Sequence, residues 1–263
     1  MPRLFTLTAL LVLAMFAPYA QGQERTALVG GRLIDGFGHA PINDSVILIY
    51  GDTILDVGTV DTLPVPESYA IVSTEGMDIL PGLWESHAHL MLAGHADYPH
   101  WDATYADRLA DEIMPAGAVQ LLLAGVTSAR DLGAPLDASQ SVKARVDSGE
   151  IPGPRLYMSG PFLQAQVEEW ESAFRWEVTS VADARQKVAA LDDAGMAIVK
   201  LVDQDKLPRD VAAAIVDEAH SREMKVVAHS HRPDEIRVGL EIGVDNFEHT
   251  GLTTAPEYPP DII

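Results

Sequence analysis

The feature that most constrains this fold is an alternation of short apolar strands and helices that begins at Ile79 and continues through the rest of the chain. The strands are predicted at residues 79–89, 126–130, 155–159, 198–202, 226–229 and 244–249, with five helices between them. Strands that alternate with helices form parallel βα units joined by right-handed crossovers. The sequence therefore predicts an α/β fold with parallel strands from Ile79 onward.

Local signals define several helices. One helix is predicted over 102–124, ending before Gly125. Ser180 and Asp183 have the spacing of a capping box at the start of another. A further helix is predicted to carry Pro208 in its first turn and to bury one stripe, which contains Val211, Ile215 and Ala219.

The segment before Ile79 has a different pattern. Residues 23–78 contain β-branched runs separated by Gly and Asp turns, and they show no helical period. We expect this segment to form part of a small β-sandwich, with the larger domain at 79–263.

Residues 1–22 resemble a secretory signal peptide. Arg3 supplies a positive charge, an apolar run follows from Leu4 to Ala17, and Ala20-Gln21-Gly22 offers small residues where a signal peptidase cleaves. The mature chain is expected to begin near Gln23, in a secreted or periplasmic protein.

Charge and cysteine content exclude some partners and ligands. The formal net charge is −21, and the chain contains no cysteine. Nucleic acids and anionic membranes need a positive surface, so neither is expected as a partner. Any metal must be held by nitrogen and oxygen atoms. Homo-oligomerisation stays open.

Five residues that can bind metal ions lie in or at the ends of the predicted strands. His87 and His89 share one face because side chains alternate along a strand. The other three are Lys200, His229 and His249. A single strand-end histidine is more often a core or surface residue, but the carboxyl ends of parallel barrel strands meet at one rim. The joint pattern therefore predicts a metal site.

The long connection at 160–179 is rich in glutamate and aromatic residues. Long loops in compact domains are usually functional, so a substrate lid is one interpretation. A solvated loop with aromatic anchors is the other.

Several motifs together resemble the amidohydrolase superfamily, and more narrowly its branch of imidazolonepropionase-like hydrolases and exported Xaa-Pro dipeptidases. They are Leu80-Pro81-Gly82-Leu83 with His87-Ala88-His89, Gly125 to Gly133, Gly153-Pro154-Arg155 with Ser159-Gly160-Pro161, Lys200, His229, and Asp245-Asn246-Phe247-Glu248-His249. The resemblance covers residues 26–263. It implies a (β/α)8 TIM barrel beside a β-sandwich.

The resemblance also implies a site with two divalent metal ions. His87 and His89 would hold the buried ion, and His229 and His249 the more exposed one. Lys200 would be carboxylated by CO2 and bridge the two, because an ammonium with a reference pKa of about 10.4 would repel them. Zinc is the expected metal, acting on a water nucleophile.

The chain departs from the family pattern in one respect. The family's general base is an aspartate at the end of the eighth strand, and here it is expected beyond Ile263, together with strands seven and eight. The sequence is therefore expected to be a fragment or a truncated product whose own activity is in doubt.

Two classes of function follow from these patterns. The first is a secreted hydrolase of an amide or peptide C–N bond, such as an Xaa-Pro dipeptidase. The second is an inactive or metal-binding-only fragment, and a mononuclear deaminase is an alternative within the enzyme class. The resemblance implies a small molecule or a dipeptide as substrate, and His231 is a candidate contact to it. Arg130 either holds a carboxylate of the substrate or forms an ion pair with Asp131 or another carboxylate of the barrel mouth.

Overall fold

The computed structural model describes residues 25–94, 96–249 and 257–263. The predicted signal peptide at 1–22 lies outside these residues. Two compact units divide the chain between Pro81 and Gly82, a few residues after the boundary expected at 78. Among the described residues, no helix combines the length and the apolar character needed to cross a membrane.

The first unit contains one five-stranded sheet. Its strands are β1 (Arg25–Leu33), β2 (Ile42–Tyr50), β3 (Thr53–Thr59), β4 (Ala70–Ser73) and β5 (Asp78–Ile79). Strands β1, β2 and β3 are antiparallel neighbours, whereas β4 and β5 run parallel to β1. Ala27, Val46 and Leu48 form its small buried core. These strands are one layer of sheet, so the second layer of a sandwich stays a prediction.

The second unit contains all six predicted parallel strands. They are β6 (Leu83–Ala88), β7 (Val126–Asp131), β8 (Arg155–Met158), β11 (Ile198–Leu201), β12 (Lys225–His229) and β13 (Asn246–Glu248). Two short strands, β9 (Phe162–Gln164) and β10 (Arg175–Glu177), lie in the connection between β8 and β11.

These strands form two parallel sheets, β6-β7-β8 and β10-β9-β11-β12-β13. The amide of Ala197 donates to the carbonyl of Met158 at 2.9 Å and links the end of β8 to the start of β11. The result is a mixed α/β fold whose parallel sheets are consistent with an incomplete amidohydrolase barrel.

The first predicted strand was too long. Ile79 belongs to β5 and pairs with β1, and β6 begins only at Leu83. Pro81 lies between them and has no N–H to donate to a sheet ladder, which explains why one strand cannot run through this position.

The helices are α1 (Tyr98–Tyr105), α2 (Met114–Leu123), α3 (Leu136–Asp147), α4 (Val181–Asp193), α5 (Arg209–Ser221) and α6 (Pro233–Ile242). The prediction of one helix over 102–124 was wrong, because a 3-10 turn at Ala106–Arg108 and a π turn at Leu109–Ile113 separate α1 from α2. Pro115 has no N–H and its ring crowds the carbonyl four residues earlier, so a regular α-helix cannot pass through it.

The helix caps follow the predictions in part. Ser180 Oγ accepts a hydrogen bond from the Asp183 amide at 3.2 Å, but the Asp183 carboxylate accepts from Thr179 instead of Ser180. Pro208 is the residue before α5 and lies outside its first turn. The predicted stripe of α5 is buried, with Val211, Ile215 and Ala219 at 4% exposure or less.

Candidate metal centre

His87 and His89 come together at the end of β6. His87 lies in β6, and His89 is the first residue after this strand, so both rings point to one side. Their Nε2 atoms lie 3.1 Å apart. The predicted pairing of these two side chains is therefore present.

His229 and His249 form a second pair. His229 ends β12, and His249 follows β13 with a left-handed φ of 70°. Nδ1 of His229 lies 3.0 Å from Nε2 of His249. The ring of His249 is 4.8 Å from that of His87, measured between centroids, so the two pairs are neighbours.

Lys200 lies in β11 between Val199 and Leu201, and all four residues of this strand are buried. Lys200 is 1% exposed, and its Nζ has no hydrogen-bond partner in the part of the chain that the structure describes. Burial lowers its pKa to about 7, with a smaller lowering by Arg130 and an opposing effect of Glu248. A buried ammonium without a partner is costly, so this amine requires a further ligand or modification.

Three of the histidines are held in their neutral form. Burial is the main cause, and neighbouring histidines and Lys200 add to it, so that the pKa is lowered to about 3 for His89 and His229 and to about 4 for His249. A neutral imidazole has a lone pair available for a metal ion. The residues present therefore fit a divalent-ion site.

Glu248 orients this site, although it was not among the predicted site residues. Its carboxylate is 4% exposed and lies 2.8 Å from Nδ1 of His87. It also accepts hydrogen bonds from Arg130 Nη2 at 2.8 Å and Asn246 Nδ2 at 2.7 Å. When the Nδ1–H of His87 donates to Glu248, the Nε2 of His87 is left free and faces His89. Carboxylates orient metal-binding histidines in this way.

Arg130 has the structural role that was one of its two alternatives. It donates to the Ser86 carbonyl at 2.7 Å and pairs with Glu248, and it does not line the cavity beside the histidines. Its partner is therefore a carboxylate of the barrel mouth, but not Asp131, which accepts instead from the amide of Leu90. A direct contact of Arg130 with substrate stays a prediction.

His231 lies at the second histidine pair. Its ring stacks on His249, with centroids 4.4 Å apart, and meets the ring of His229 edge-on at 4.2 Å. One nitrogen of each of these three residues lies within 4.8 Å of the other two, so they can reach a single ion together. His231 is thus placed equally well to bind metal or substrate.

The five predicted metal ligands and His231 line one cavity of about 610 Å³. Its other walls are largely apolar and aromatic, and they include Leu92, Tyr98, Trp101, Leu109, Phe162, Trp170 and Phe174. Three of these aromatic residues come from the connection at 160–179, which forms β9, a 3-10 turn and β10. This connection is therefore a wall of the cavity, while movement as a lid stays a prediction.

A group of three acidic residues near α6 is a second place where a cation could be expected. Asp203, Asp205 and Glu235 place one oxygen each within 4.8 Å of one another. Arg232 Nη2 contacts all three, at 3.0, 2.6 and 3.1 Å respectively. The guanidinium already occupies the position that a cation would take, so this group serves to anchor Arg232.

The chain is similar to several solved structures. A candidate prolidase from Bifidobacterium longum is 28% identical with a TM-score of 0.70, over 86% of this chain and 54% of that one. A prolidase complexed with N-methylphosphonate-L-proline is 25% identical with a TM-score of 0.75, over 87% and 61%. Phenylurea hydrolase B, at 20% identity and a TM-score of 0.79 over 91% and 62%, shows the fold alone.

This chain thus spans 54% to 62% of the length of these three proteins. A search of curated protein sequences gave no significant match. The model of the amidohydrolase family matches residues 79–262, which include every histidine of the cavity and Lys200. The chain belongs to the amidohydrolase family.

Proposed function

We propose that this protein is a metal-dependent hydrolase that cleaves an amide or peptide C–N bond. The observation that carries the proposal is the convergence of His87, His89, His229, His249 and a buried Lys200 on one cavity. Four imidazoles and a buried amine have little reason to crowd together in a protein core unless they bind cations.

Within this proposal, His87 and His89 would hold one divalent ion, and His229 and His249 would hold the other. Lys200 would be carboxylated by CO2 with loss of a proton, and the carbamate would offer both ions an anionic two-oxygen ligand in place of a buried positive charge. Zinc suits this set of nitrogen and oxygen ligands. When bound, such ions lower the pKa of a water molecule and polarise the carbonyl that is attacked.

The other residues of the site have supporting roles. Glu248 keeps the Nε2 of His87 free, and Arg130 holds Glu248 in place. The aromatic wall from 160–179 takes the apolar part of the substrate and limits the access of bulk water.

We further propose that the N-terminal sheet is one layer of a β-sandwich.

A dipeptide of the Xaa-Pro type is the proposed substrate. Support comes from the likeness to two prolidase structures at 25% identity or more. The cavity volume of about 610 Å³ lies within the range of small-molecule sites, roughly 300–1,000 Å³. A single-ion deaminase is the second candidate, because His229, His231 and His249 can reach one ion by themselves.

The test is metal analysis combined with an assay of the full-length protein on Xaa-Pro dipeptides. We expect two ions per chain and release of proline. His229→Ala should lose bound metal and the release of proline. His39→Ala, which alters an exposed histidine outside the cavity, is the matched control. One ion per chain with full release of proline would contradict the two-ion site. One ion per chain without release of proline would favour the deaminase, and two bound ions without hydrolysis would favour a binding protein.

We also propose that the protein is exported. The support is the charged, apolar and small-residue order of residues 1–22. N-terminal sequencing of the protein from its native host should begin near Gln23, and an intact Met1 would contradict the proposal.

A further inference from the structure

Arg175, the first residue of β10, is a cationic side chain that the proposed chemistry does not use. It lines the same cavity as the histidines, together with Phe162, Trp170 and Phe174. Apart from Lys200, it is the one Lys or Arg side chain among the described residues that line this cavity. A fixed positive charge in an aromatic wall is unusual unless something binds to it.

The guanidinium is held rigidly. Nη1 donates to Gln164 Oε1 at 2.6 Å, and Nε lies 3.0 Å from Glu171 Oε2. The guanidinium carbon lies 4.7 Å from the ring centroid of Phe162 and 5.6 Å from that of Phe174. The two rings and the two polar partners therefore fix its plane and direction.

The ion pair with Glu171 does not use all the hydrogen-bond donors of the Arg175 guanidinium. No hydrogen bond from Nη2 is found within residues 25–94, 96–249 and 257–263. Glu171 is buried and accepts hydrogen bonds from Gln164 Nε2 and from the amide of Glu168, both at 3.2 Å. Glu171 does not line the cavity, whereas Arg175 does, with a quarter of its side chain exposed. The guanidinium thus keeps a donor for a ligand.

The remaining charges of the cavity favour an anion at Arg175. Among the described residues that line the cavity, Asp102 is the one carboxylic acid, and burial raises its pKa. A planar guanidinium matches a carboxylate through two parallel hydrogen bonds. The partner that fits is a carboxylate on the substrate.

We propose that Arg175 binds the carboxylate of the substrate and so restricts the enzyme to amides that carry one, such as dipeptides and N-acyl amino acids. This inference rests on the proposed function, since it assigns the amide to the metal centre of the same cavity. The apolar part of the substrate then lies against Trp170 and Phe174.

The test compares two ligands that differ only at the carboxylate, N-methylphosphonate-L-proline and the corresponding prolinamide. The phosphonate can occupy the metal centre in both, so the ratio of their dissociation constants reports on the carboxylate alone. Calorimetry on the zinc-loaded full-length protein needs no turnover. We expect the wild type to bind the acid about 10- to 100-fold more tightly than the amide, as for hydrogen bonds to a charged group.

Arg175→Gln should bring this ratio close to one, whereas Arg185→Gln, at an ion pair with Glu218 outside the cavity, should keep the wild-type ratio. Circular dichroism and zinc content show whether each variant is folded. If Arg175→Gln does not fold, Arg175→Lys takes its place and should lower the ratio at least about threefold, because lysine lacks the two-pronged geometry.

Three results would overturn the assignment: equal binding of the two compounds by the wild type, an unchanged ratio in a folded Arg175 variant, or no binding of either compound. The hydrolysis assay separates this inference from the proposed function. A carboxylate preference that depends on Arg175, without hydrolysis of any dipeptide, refutes the hydrolase and leaves the binding role standing. Equal hydrolysis of dipeptides and their amides would refute the carboxylate role of Arg175 and leave the hydrolase standing.

Discussion

At the scale of single residues, Lys200 is the most informative position. Its side chain is buried in an apolar strand, and its Nζ lacks a hydrogen-bond partner among the described residues. Removing a partner from a buried charge typically costs 3–5 kcal/mol, roughly a third to a half of the stability of an average domain. Such a lysine persists only if its function requires it. Within the proposed function, that requirement is to bridge two metal ions.

We expect Lys200→Ala and Lys200→Arg both to lose most of the bound metal and at least about 100-fold in hydrolysis, because neither side chain can become a carbamate. Elemental analysis and a dipeptide assay measure the two effects. Lys143→Ala, which removes a lysine paired with Asp147 on α3, is the control. An arginine variant that keeps its metal and its rate would exclude the bridging role.

At the scale of secondary-structure elements, a close contact between two segments shapes the cavity. Gly133 follows β7 with a φ of 151°, and a Cβ at this position would lie 2.2 Å from the ring of Phe162 in β9. The Phe162 ring is 5.6 Å from the ring of His89 and carries Arg175 on its face. The absence of a side chain at Gly133 therefore lets the aromatic wall approach the proposed metal ligands.

Gly133→Ala should lower the free energy of unfolding by about 3 kcal/mol, because overpacking adds to backbone strain. Gly149→Ala is matched to it, since Gly149 also has a positive φ, of 75°, but a Cβ at Gly149 would meet no other atom within 4 Å. It should lose only about 1 kcal/mol. Urea unfolding measures both, and equal losses would show that the contact with Phe162 is unimportant.

Asp245 precedes β13 and connects it to β12 and α5, at the end of the sheet opposite the histidines. Its carboxylate accepts from the Val226 amide at 2.8 Å and from Lys225 Nζ at 2.9 Å, and lies 2.8 Å from His220 Nε2 at the end of α5. Burial opposes ionisation, but the bonds to Val226, Lys225 and His220 prevail and lower the pKa to about 2. The folded state therefore releases this proton more readily than the unfolded chain.

A lowered folded-state pKa stabilises the protein above the unfolded value of 3.8, and the effect is lost as the pH falls toward about 2. Asp245→Asn should cost about 1 kcal/mol at pH 7, a modest value because the site is partly exposed and screened by solvent. The difference from the wild type should shrink between pH 4 and pH 2. Urea unfolding at several pH values checks this, with Asp217→Asn on the exposed side of α5 as the control. A difference that is constant with pH would contradict it.

At the scale of the whole molecule, the proposed metal ligands lie entirely in the unit from Gly82 to Ile263, and they come from four different strands or strand ends. A ligand that binds only the folded state stabilises it by mass action, and only the folded barrel brings these residues together.

We therefore expect a chelator to lower the unfolding temperature of the metal-loaded protein. Metal present at 100 times its dissociation constant should add about 2.7 kcal/mol to the free energy of unfolding. Calorimetry with and without chelator measures the change. His229→Ala should lose much of the chelator-sensitive part and His39→Ala should keep it, whereas a wild type that melts identically in both conditions would contradict a metal site.

Much of this protein could be predicted from local patterns. The alternation of strands and helices predicted the six parallel strands, and two-residue spacing placed His87 and His89 on one side of a strand. A lysine inside an apolar strand also indicated a special role before any neighbour was known. These conclusions depend on residues a few positions apart, whose relation is set by the backbone geometry of a strand or helix.

Only the tertiary structure decided which distant side chains meet. Glu248 reaches His87 across 161 positions and Arg130 across 118, and both contacts require that the ends of β6, β7 and β13 face a common centre. Arg175 lies in a connection whose pattern left a lid and a surface loop equally open, and its pairing with β9 turned it toward the cavity. Periodicity assigns a side chain to a face, but which faces meet depends on how the strands are arranged around the barrel.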